Sequence, residues 1–381
     1  MTQPVEFYDK EIETLDLEAL QALQLGRLKD TVRRALRSPF YSARFAPLGL
    51  EPEDIQSISE IEQMPFTVKE DLRGDAYPYG FLTVSKDHLV RLHASSGTTG
   101  RPTVIFHTKE DLYAWAGLLA RCMFMVGVRP NDVFQNMIGY GLFTGGLGLH
   151  YGAERLGTLT IPSGPGNTKR QIRLMQDFKT TVIHVIPSYA LYLLQAVLEQ
   201  NLDPEKDLSV RVAFLGAEPH SEQVRRRIER GFGIDAFNSY GLSEMNGPGV
   251  AFECPYKTGL HIWEDSYLAE LIDLQTQKPV PDGSEGELVL TTLNRVGMPL
   301  IRYRTGDITR FMPRACSCGR VHRRMERISG RTDDMMILKG VNIFPMQVER
   351  VLMNIPEAGN NYQIVLETRN DIDVMRVMVE V

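Results

Sequence analysis

Four short segments carry the residue types that phosphate and carboxylate chemistry needs. The first is Ser95-Ser-Gly-Thr-Thr-Gly-Arg-Pro-Thr103. Its hydroxyls and backbone N–H groups can meet phosphate oxygens, and its glycines let the backbone come close. It is not the GxxxxGK[ST] loop, because no lysine follows and no helix opens directly after it. Taken alone it is equally a polar hairpin turn. The second is Asn238-Ser-Tyr-Gly-Leu-Ser-Glu244, where a tyrosine can stack on a purine and a carboxylate can hold Mg²⁺. The third is Tyr303-Arg-Thr-Gly-Asp307, which places an acid just after a tight turn, able to accept two hydrogen bonds from a ribose diol. The fourth, Ser329-Gly-Arg-Thr-Asp-Asp-Met-Met-Ile-Leu-Lys-Gly340, sets Arg331 among acidic turn residues. Singly, these last three read as turns or a charged linker.

The elements that must position these segments change character along the chain. Residues 8–46 have helical spacing at Leu15, Leu17, Leu20, Leu23 and Leu28, interrupted by Pro39. Thr67 with Glu70 reads as a helix start with a threonine cap. From about residue 90, short apolar runs alternate with helical patterns. Strands are predicted at 89–93, 104–107, 133–138, 158–161, 182–186 and 210–215, and helices at 111–126, 169–178 and 221–232. This alternation predicts a layered α/β domain with a largely parallel sheet. Beyond about 265 the pattern becomes strand-rich, with runs at 267–273, 286–293 and 308–312. A small α+β unit begins near 334, with a helix at 345–352 and strands at 362–368 and 374–381. The expected organisation is a large unit over 1–329 with a β-rich subdomain at about 265–325, a hinge at 330–333, and a partial C-terminal domain over 334–381.

Composition sets outer limits. The chain has 381 residues, 43% hydrophobic and 24% charged, enough for a sizeable core. The net charge of −6 argues against a dedicated nucleic-acid binder. No apolar run reaches the roughly 18–20 residues needed to cross a bilayer. The acidic start lacks a secretory pattern, so the cytoplasm is expected and no membrane partner is. The four cysteines are too few for a disulfide framework in so long a chain.

In this order and spacing, the four segments resemble the signature blocks of the adenylate-forming superfamily of acyl-CoA synthetases, luciferases and adenylation domains. The resemblance runs from about residue 60 to the end. Its closest branch looks like the phenylacetate–CoA ligases, on Pro65-Phe-Thr-Val-Lys-Glu-Asp-Leu72, Tyr140-Gly-Leu-Phe-Thr-Gly-Gly-Leu-Gly148, Cys316-Ser-Cys-Gly-Arg320 and Gly340-Val-Asn-Ile-Phe-Pro345. The resemblance implies activation of a carboxylic acid by ATP as an acyl-adenylate, then transfer to coenzyme A with release of AMP. It implies that Ser95, Ser96, Gly97, Thr98, Thr99 and Gly100 grip phosphates, with Thr99 central. Gly216, Ala217, Glu218 and Pro219, with Asn238, Ser239, Tyr240, Gly241 and Ser243, would frame the adenine. Glu244 would hold Mg²⁺, Asp307 the ribose, and Arg331 the ribose and phosphate. Asp333 matches the family's hinge, and Gly340 its coenzyme A tunnel. A homodimer is the family precedent. The family's adenylation lysine lies beyond Val381 and no lysine follows Lys339, so further C-terminal sequence is expected.

Two features extend this picture. Tyr140, Phe143, Gly146, Ala217 and Pro248 suggest a flat slot for an aryl acid, against ordinary packing of a glycine-rich segment. Cys316 and Cys318, with Cys254 and His261, form a three-cysteine, one-histidine set suited to structural zinc, against plain reduced thiols. Other adenylated acids, or a nucleotide-binding regulator without catalysis, are the competing functions.

Overall fold

The computed structural model describes residues 6–95, 101–334, 336–338, 341–355, 359, 362–369 and 372–380. The strands are β1 Arg91–Ala94, β2 Val104–His107, β3 Val133–Asn136, β4 Leu159–Ile161, β5 Val182–Val185, β6 Val212–Leu215, β7 Asp235–Leu242, β8 Gly247–Glu253 and β9 Leu260–Ile262. They continue with β10 Tyr267–Ile272, β11 Glu285–Thr292, β12 Tyr303–Arg310, β13 Arg324–Met325 and β14 Gly330–Arg331. Among the described residues, one sheet runs in the order β13-β9-β8-β7-β6-β5-β3-β4 and a second in the order β10-β11-β12-β14. The class is the expected α/β, with the sheets mixed rather than largely parallel.

Strand β7 is where the larger sheet changes sense. Asp235–Asn238 pairs in parallel with β6, and Ser239–Leu242 pairs antiparallel with β8. The parallel strands β5 and β6 are buried at every position and covered on both faces; β6 is apolar throughout, and β5 is apolar except for His184. The Asn238–Glu244 segment thus begins at the carboxyl end of the parallel strands, where open α/β sheets bind ligands.

Two helices lean on this sheet. Lys109–Met125 starts in a capping box: Thr108 Oγ1 accepts from the Asp111 N–H at 3.2 Å, and Asp111 Oδ2 accepts from the Thr108 N–H at 2.9 Å. Asp111 also accepts from the N–H groups of Val296 (2.6 Å) and Gly297 (3.0 Å), tying this helix to the second sheet. The helix Thr144–Leu156 crosses it closely because glycines face the contact. A Cβ on Gly152 would lie 2.4 Å from Leu119 Cβ, and one on Gly148 2.4 Å from a Trp115 ring atom.

The sequence-predicted strands and helices recur with bounds shifted by a few residues. Three differences are informative. The N-terminal stretch is three helices, Lys10–Glu13, Leu17–Ala35 and Pro39–Phe45. Pro39 opens the third behind a Ser38 cap, since its missing N–H costs nothing at a first turn. Thr67 is not a cap: its Oγ1 donates to the Ile301 carbonyl at 2.7 Å, and the short helix starts at Lys69. The glycine-rich Thr144–Gly148 run, given no element by the sequence pattern, opens the helix Thr144–Leu156.

A small C-terminal unit holds two hairpins and the helix Pro345–Leu352. Among the described residues, no helix is long and apolar enough to cross a membrane. Gly152→Ala is expected to destabilise the protein by about 1–3 kcal/mol, because backbone and Leu119 must move to admit one methyl. A lowered urea midpoint at unchanged slope would register it.

Candidate active site and metal centre

Three elements converge on one carboxylate. Asp307 in β12 stands opposite Arg331 in β14. The Tyr240 hydroxyl, from β7, donates to Asp307 Oδ2 at 2.5 Å, and Arg331 Nη1 donates to Asp307 Oδ1 at 2.6 Å. The turn before Asp307 needs Gly306, whose φ is +76°, and Thr305 Oγ1 accepts from the Asp307 N–H at 3.0 Å. Asp307 is 4% exposed. Burial pushes its pKa up against the pull of Arg331, and burial likewise raises Tyr240, with Asp307 adding to it. Each carboxylate oxygen has one protein donor and keeps a lone pair for another. Arg331 also donates to both oxygens of Asp333, at 2.9 and 3.1 Å. Burial alone would lower the Arg331 pKa, and the carboxylates of Asp333 and Asp307 raise it instead.

Glu244 lies in the turn after β7, 6% exposed, with its carboxylate beside the Tyr303 hydroxyl. Burial raises the Tyr303 pKa and Glu244 raises it further. The fully buried Arg295 donates to the Glu244 carbonyl at 2.7 Å and to the Phe106 carbonyl at 3.3 Å. The turn holding Glu244 is thereby fixed to β2, which leads out of the phosphate-loop hairpin.

Gly216 follows β6. A Cβ there would lie 2.6 Å from Ser239 Oγ, so the glycine admits β7 rather than empty space. Ala217 takes a left-handed backbone, φ +62°. Glu218 turns aside: its Oε2 accepts from the Ser188 N–H at 3.1 Å, at the start of the helix Pro187–Glu199. Pro219 joins it in lining a cavity of about 280 Å³ against Glu349 and Tyr362 of the C-terminal unit. Asn238 donates its N–H to Glu253 at 2.7 Å. Gly241 faces the Gly247 carbonyl, which leaves no room for a Cβ. Ser243 is buried.

The root of the Ser95–Thr103 segment is described. Ser95 and Thr103 face each other, the Ser95 N–H donating to the Thr103 carbonyl at 3.0 Å, and Arg73 Nε donates to Thr103 Oγ1 at 3.0 Å. Ser96, Gly97, Thr98, Thr99, Gly100 and Gly340 lie outside the described residues. The same hairpin grips the expected acid slot. The Ala94 N–H donates to the Leu142 carbonyl at 2.9 Å, and His93 Nδ1 donates to it at 3.0 Å. Tyr140 is half-buried and hydrogen-bonded to Asn136, and Phe143 is exposed. Pro248 packs over the helix contact, its carbonyl accepting from Trp115 Nε1 at 2.8 Å. The space beside Gly146 is occupied, since a Cβ there would lie 2.5 Å from the Gly139 carbonyl oxygen.

The metal set assembles. The donor atoms of Cys254, His261, Cys316 and Cys318 all lie within 4.8 Å of one another. The Cys254 and Cys316 sulfurs are 3.8 Å apart, and Cys318 Sγ is 3.2 Å from His261 Nε2. Zinc–ligand bonds in a tetrahedron put two sulfurs about 3.8 Å apart and a sulfur and nitrogen about 3.5 Å apart. A disulfide needs about 2.05 Å. His261 Nδ1 donates to the His322 carbonyl at 2.8 Å, which leaves Nε2 as the lone-pair donor. Pairing of β9 with β13 brings the two halves of the set together.

Sequence reasoning missed Trp115, Asn136, His184, Arg295 and the partnership of Tyr303 with Glu244. Trp115, His184 and Arg295 make their contacts with residues distant in the chain, and Asn136 joins such a contact to nearer ones at Tyr140 and Gly146.

Comparison with known proteins supplies a context for this geometry. Residues 48–294 match the family described as AMP-binding enzyme, and residues 340–381 match the AMP-binding enzyme C-terminal domain. The chain is 47% identical over 376 residues to phenylacetate-coenzyme A ligase of Thermus thermophilus, covering 98% of this chain and 84% of that protein. It is 44% identical over 371 residues to phenylacetate-coenzyme A ligase of Escherichia coli, covering 97% and 84%. It superposes with a TM-score of 0.92 on 2-hydroxyisobutyryl-CoA ligase in the postadenylation state in complex with R3-HIB-AMP, at 27% identity, covering 100% of this chain and 82% of that one.

Proposed function

This chain belongs to the AMP-binding enzyme family, and on that premise we propose that it is an AMP-forming aryl-acid coenzyme A ligase acting on a phenylacetate-like acid. A carboxylate oxygen attacks the α-phosphorus of ATP and pyrophosphate leaves. The coenzyme A thiol then attacks the acyl carbon, and AMP leaves with the oxygen that the acid brought. The choice of acid follows the phenylacetate-coenzyme A ligases. Placement of the nucleotide rests on one observation, the meeting of Tyr240, Asp307 and Arg331 at the carboxyl end of the parallel strands.

In this account the chain's residues bind and align. Asp307 accepts from the ribose hydroxyls with its remaining lone pairs. Arg331 neutralises charge near ribose and phosphate, and the Ser95–Thr103 loop, with Thr99 central, holds the outer phosphates. Gly216, Ala217 and Asn238–Tyr240 border the adenine. Glu244 would hold Mg²⁺, which adds charge neutralisation at the phosphates. Such positioning and electrostatic terms dominate transfers of this kind. Tyr140, Phe143, Gly146, Ala217 and Pro248 border the acid. The large unit over 1–329 turns against the residues from 334 onward about Asp333, and Gly340 serves the coenzyme A passage. Cys254, His261, Cys316 and Cys318 hold a structural zinc. The protein works as a homodimer in the cytoplasm, a compartment whose reducing poise suits these thiols.

Acid-dependent AMP formation, assayed with coenzyme A and a panel of aryl and alkyl acids, tests the activity. Aryl-acetic acids are expected to give AMP and thioester, and preference for an alkyl acid would refute the substrate class. Asp307→Ala removes a charge-assisted contact of about 1.5–3 kcal/mol. ATP affinity measured by titration calorimetry should fall roughly ten- to hundredfold, and unchanged affinity would refute the ribose assignment. Elemental analysis should find one zinc per chain. Cys316→Ser should lose it and melt about 5 °C lower, the shift expected for about 2 kcal/mol. A metal-free wild type contradicts the zinc.

A further inference from the structure

Behind Tyr140 runs a hydrogen-bond chain whose direction can be worked out atom by atom. The Gly146 carbonyl is buried and can only accept, so the atom 2.7 Å away on Asn136 is its amide nitrogen. That fixes the amide. Its second N–H donates to the Tyr140 hydroxyl oxygen at 2.9 Å, and its Oδ1 accepts from His184 Nδ1 at 2.9 Å. His184 is neutral, burial pushing its pKa down to about 3. The Tyr140 oxygen is therefore an acceptor toward Asn136, and its one proton is free to point elsewhere. The partner within reach is His150 Nδ1, 3.2 Å away, which accepts that proton in the Nε2-protonated tautomer. His150 then carries its proton on Nε2, which lies 3.0 Å from Glu154 Oε1. The two rings meet edge to face, with centroids 5.7 Å apart and planes at 89°. Gly146, His150 and Glu154 all belong to the helix Thr144–Leu156, so one rigid element holds both ends of the chain.

We propose that His150, oriented by Glu154, is a positioning residue that fixes the Tyr140 ring as a wall of the acid slot and takes up its hydroxyl proton, so that the slot has no donor there for a polar atom on the substrate ring. The inference deepens the proposed function and rests on Tyr140 bordering the acid. Its consequence is selectivity. An acid whose ring carries an acceptor nitrogen would bury that atom without a partner, and sites reject such atoms strongly. Pyridylacetate has the shape of phenylacetate and differs in that one atom. It is therefore expected to be a poor substrate for as long as His150 occupies the Tyr140 proton.

The test measures kcat and KM for phenylacetate and 4-pyridylacetate on the wild type, His150→Ala, His150→Asn, Glu154→Ala and Tyr140→Ala. His150→Ala should raise the phenylacetate KM about fivefold, the loss of one part-buried hydrogen bond. It should leave kcat and the ATP KM within about twofold, and it should narrow the preference for phenylacetate over pyridylacetate, because Tyr140 regains a proton to offer. His150→Asn keeps an acceptor near Nδ1 and should restore both the KM and the preference. Glu154 is 53% exposed, so Glu154→Ala should act in the same direction by no more than about twofold. It also serves as the probe should His150→Ala fail to fold. A phenylacetate KM that moves with Tyr140→Ala but not with His150→Ala would overturn the relay while leaving the slot in place. A KM that moves with neither would overturn both.

Discussion

A carboxylate with almost no access to water is costly unless each of its oxygens has a donor. Asp307 satisfies that requirement only by gathering Tyr240 from the larger sheet and Arg331 from β14. Separating the two sheets would take from Asp307 Oδ2 its Tyr240 donor. Asp111 makes the same kind of tie from the helix side, and Arg295 makes it from the second sheet to the Glu244 turn. The edge at Asp307 is thus one place where the layers are joined.

Much of the architecture was legible because buried strands such as β6 show short apolar runs, and the helix-like pattern at 111–126 marks the helix Lys109–Met125 to within a few residues. Strands β7 to β9 were not legible. Asn238, Ser239 and Gly241 interrupt any period, and the strand forms because its neighbours on both sides supply ladder partners. The helix Thr144–Leu156 was hidden by its glycines. Their low helix propensity is overridden by the close packing they allow against Trp115 and Leu119. Of the four motifs, the second, third and fourth meet around Asp307, a convergence that no one of them reveals, since singly they read as turns or a charged linker. The Glu218 carboxylate accepts from a helix N-terminus, a partner that its sequence neighbours do not announce. The metal set was readable from residue types alone, while its geometry depends on the β9–β13 pairing that no local pattern reveals.

Among the described residues, the C-terminal unit meets the rest through polar and apolar contacts. Met353 packs against the apolar cluster around the helix Pro187–Glu199, and Phe344 covers Gly330. Glu349, held by the Tyr362 hydroxyl of its own unit at 3.2 Å, accepts from the Ser221 N–H at 3.0 Å, and Gln223 reaches Asn354 at 3.2 Å. Contacts of this sort are individually worth about 1 kcal/mol, so they can be exchanged for another set at little net cost. Asp333, paired with Arg331 beside Asp307, sits where such an exchange would be felt at the nucleotide edge.

The central claim is that the acid's own oxygen attacks the α-phosphorus of ATP at this edge. The most direct measurement is turnover of phenylacetate carrying heavy oxygen in its carboxylate, with mass analysis of the products. One labelled oxygen in AMP, with pyrophosphate unlabelled and one label kept in the thioester, is the predicted result. Unlabelled AMP, or label in phosphate or pyrophosphate, would contradict the acyl-adenylate and with it the role assigned to this site.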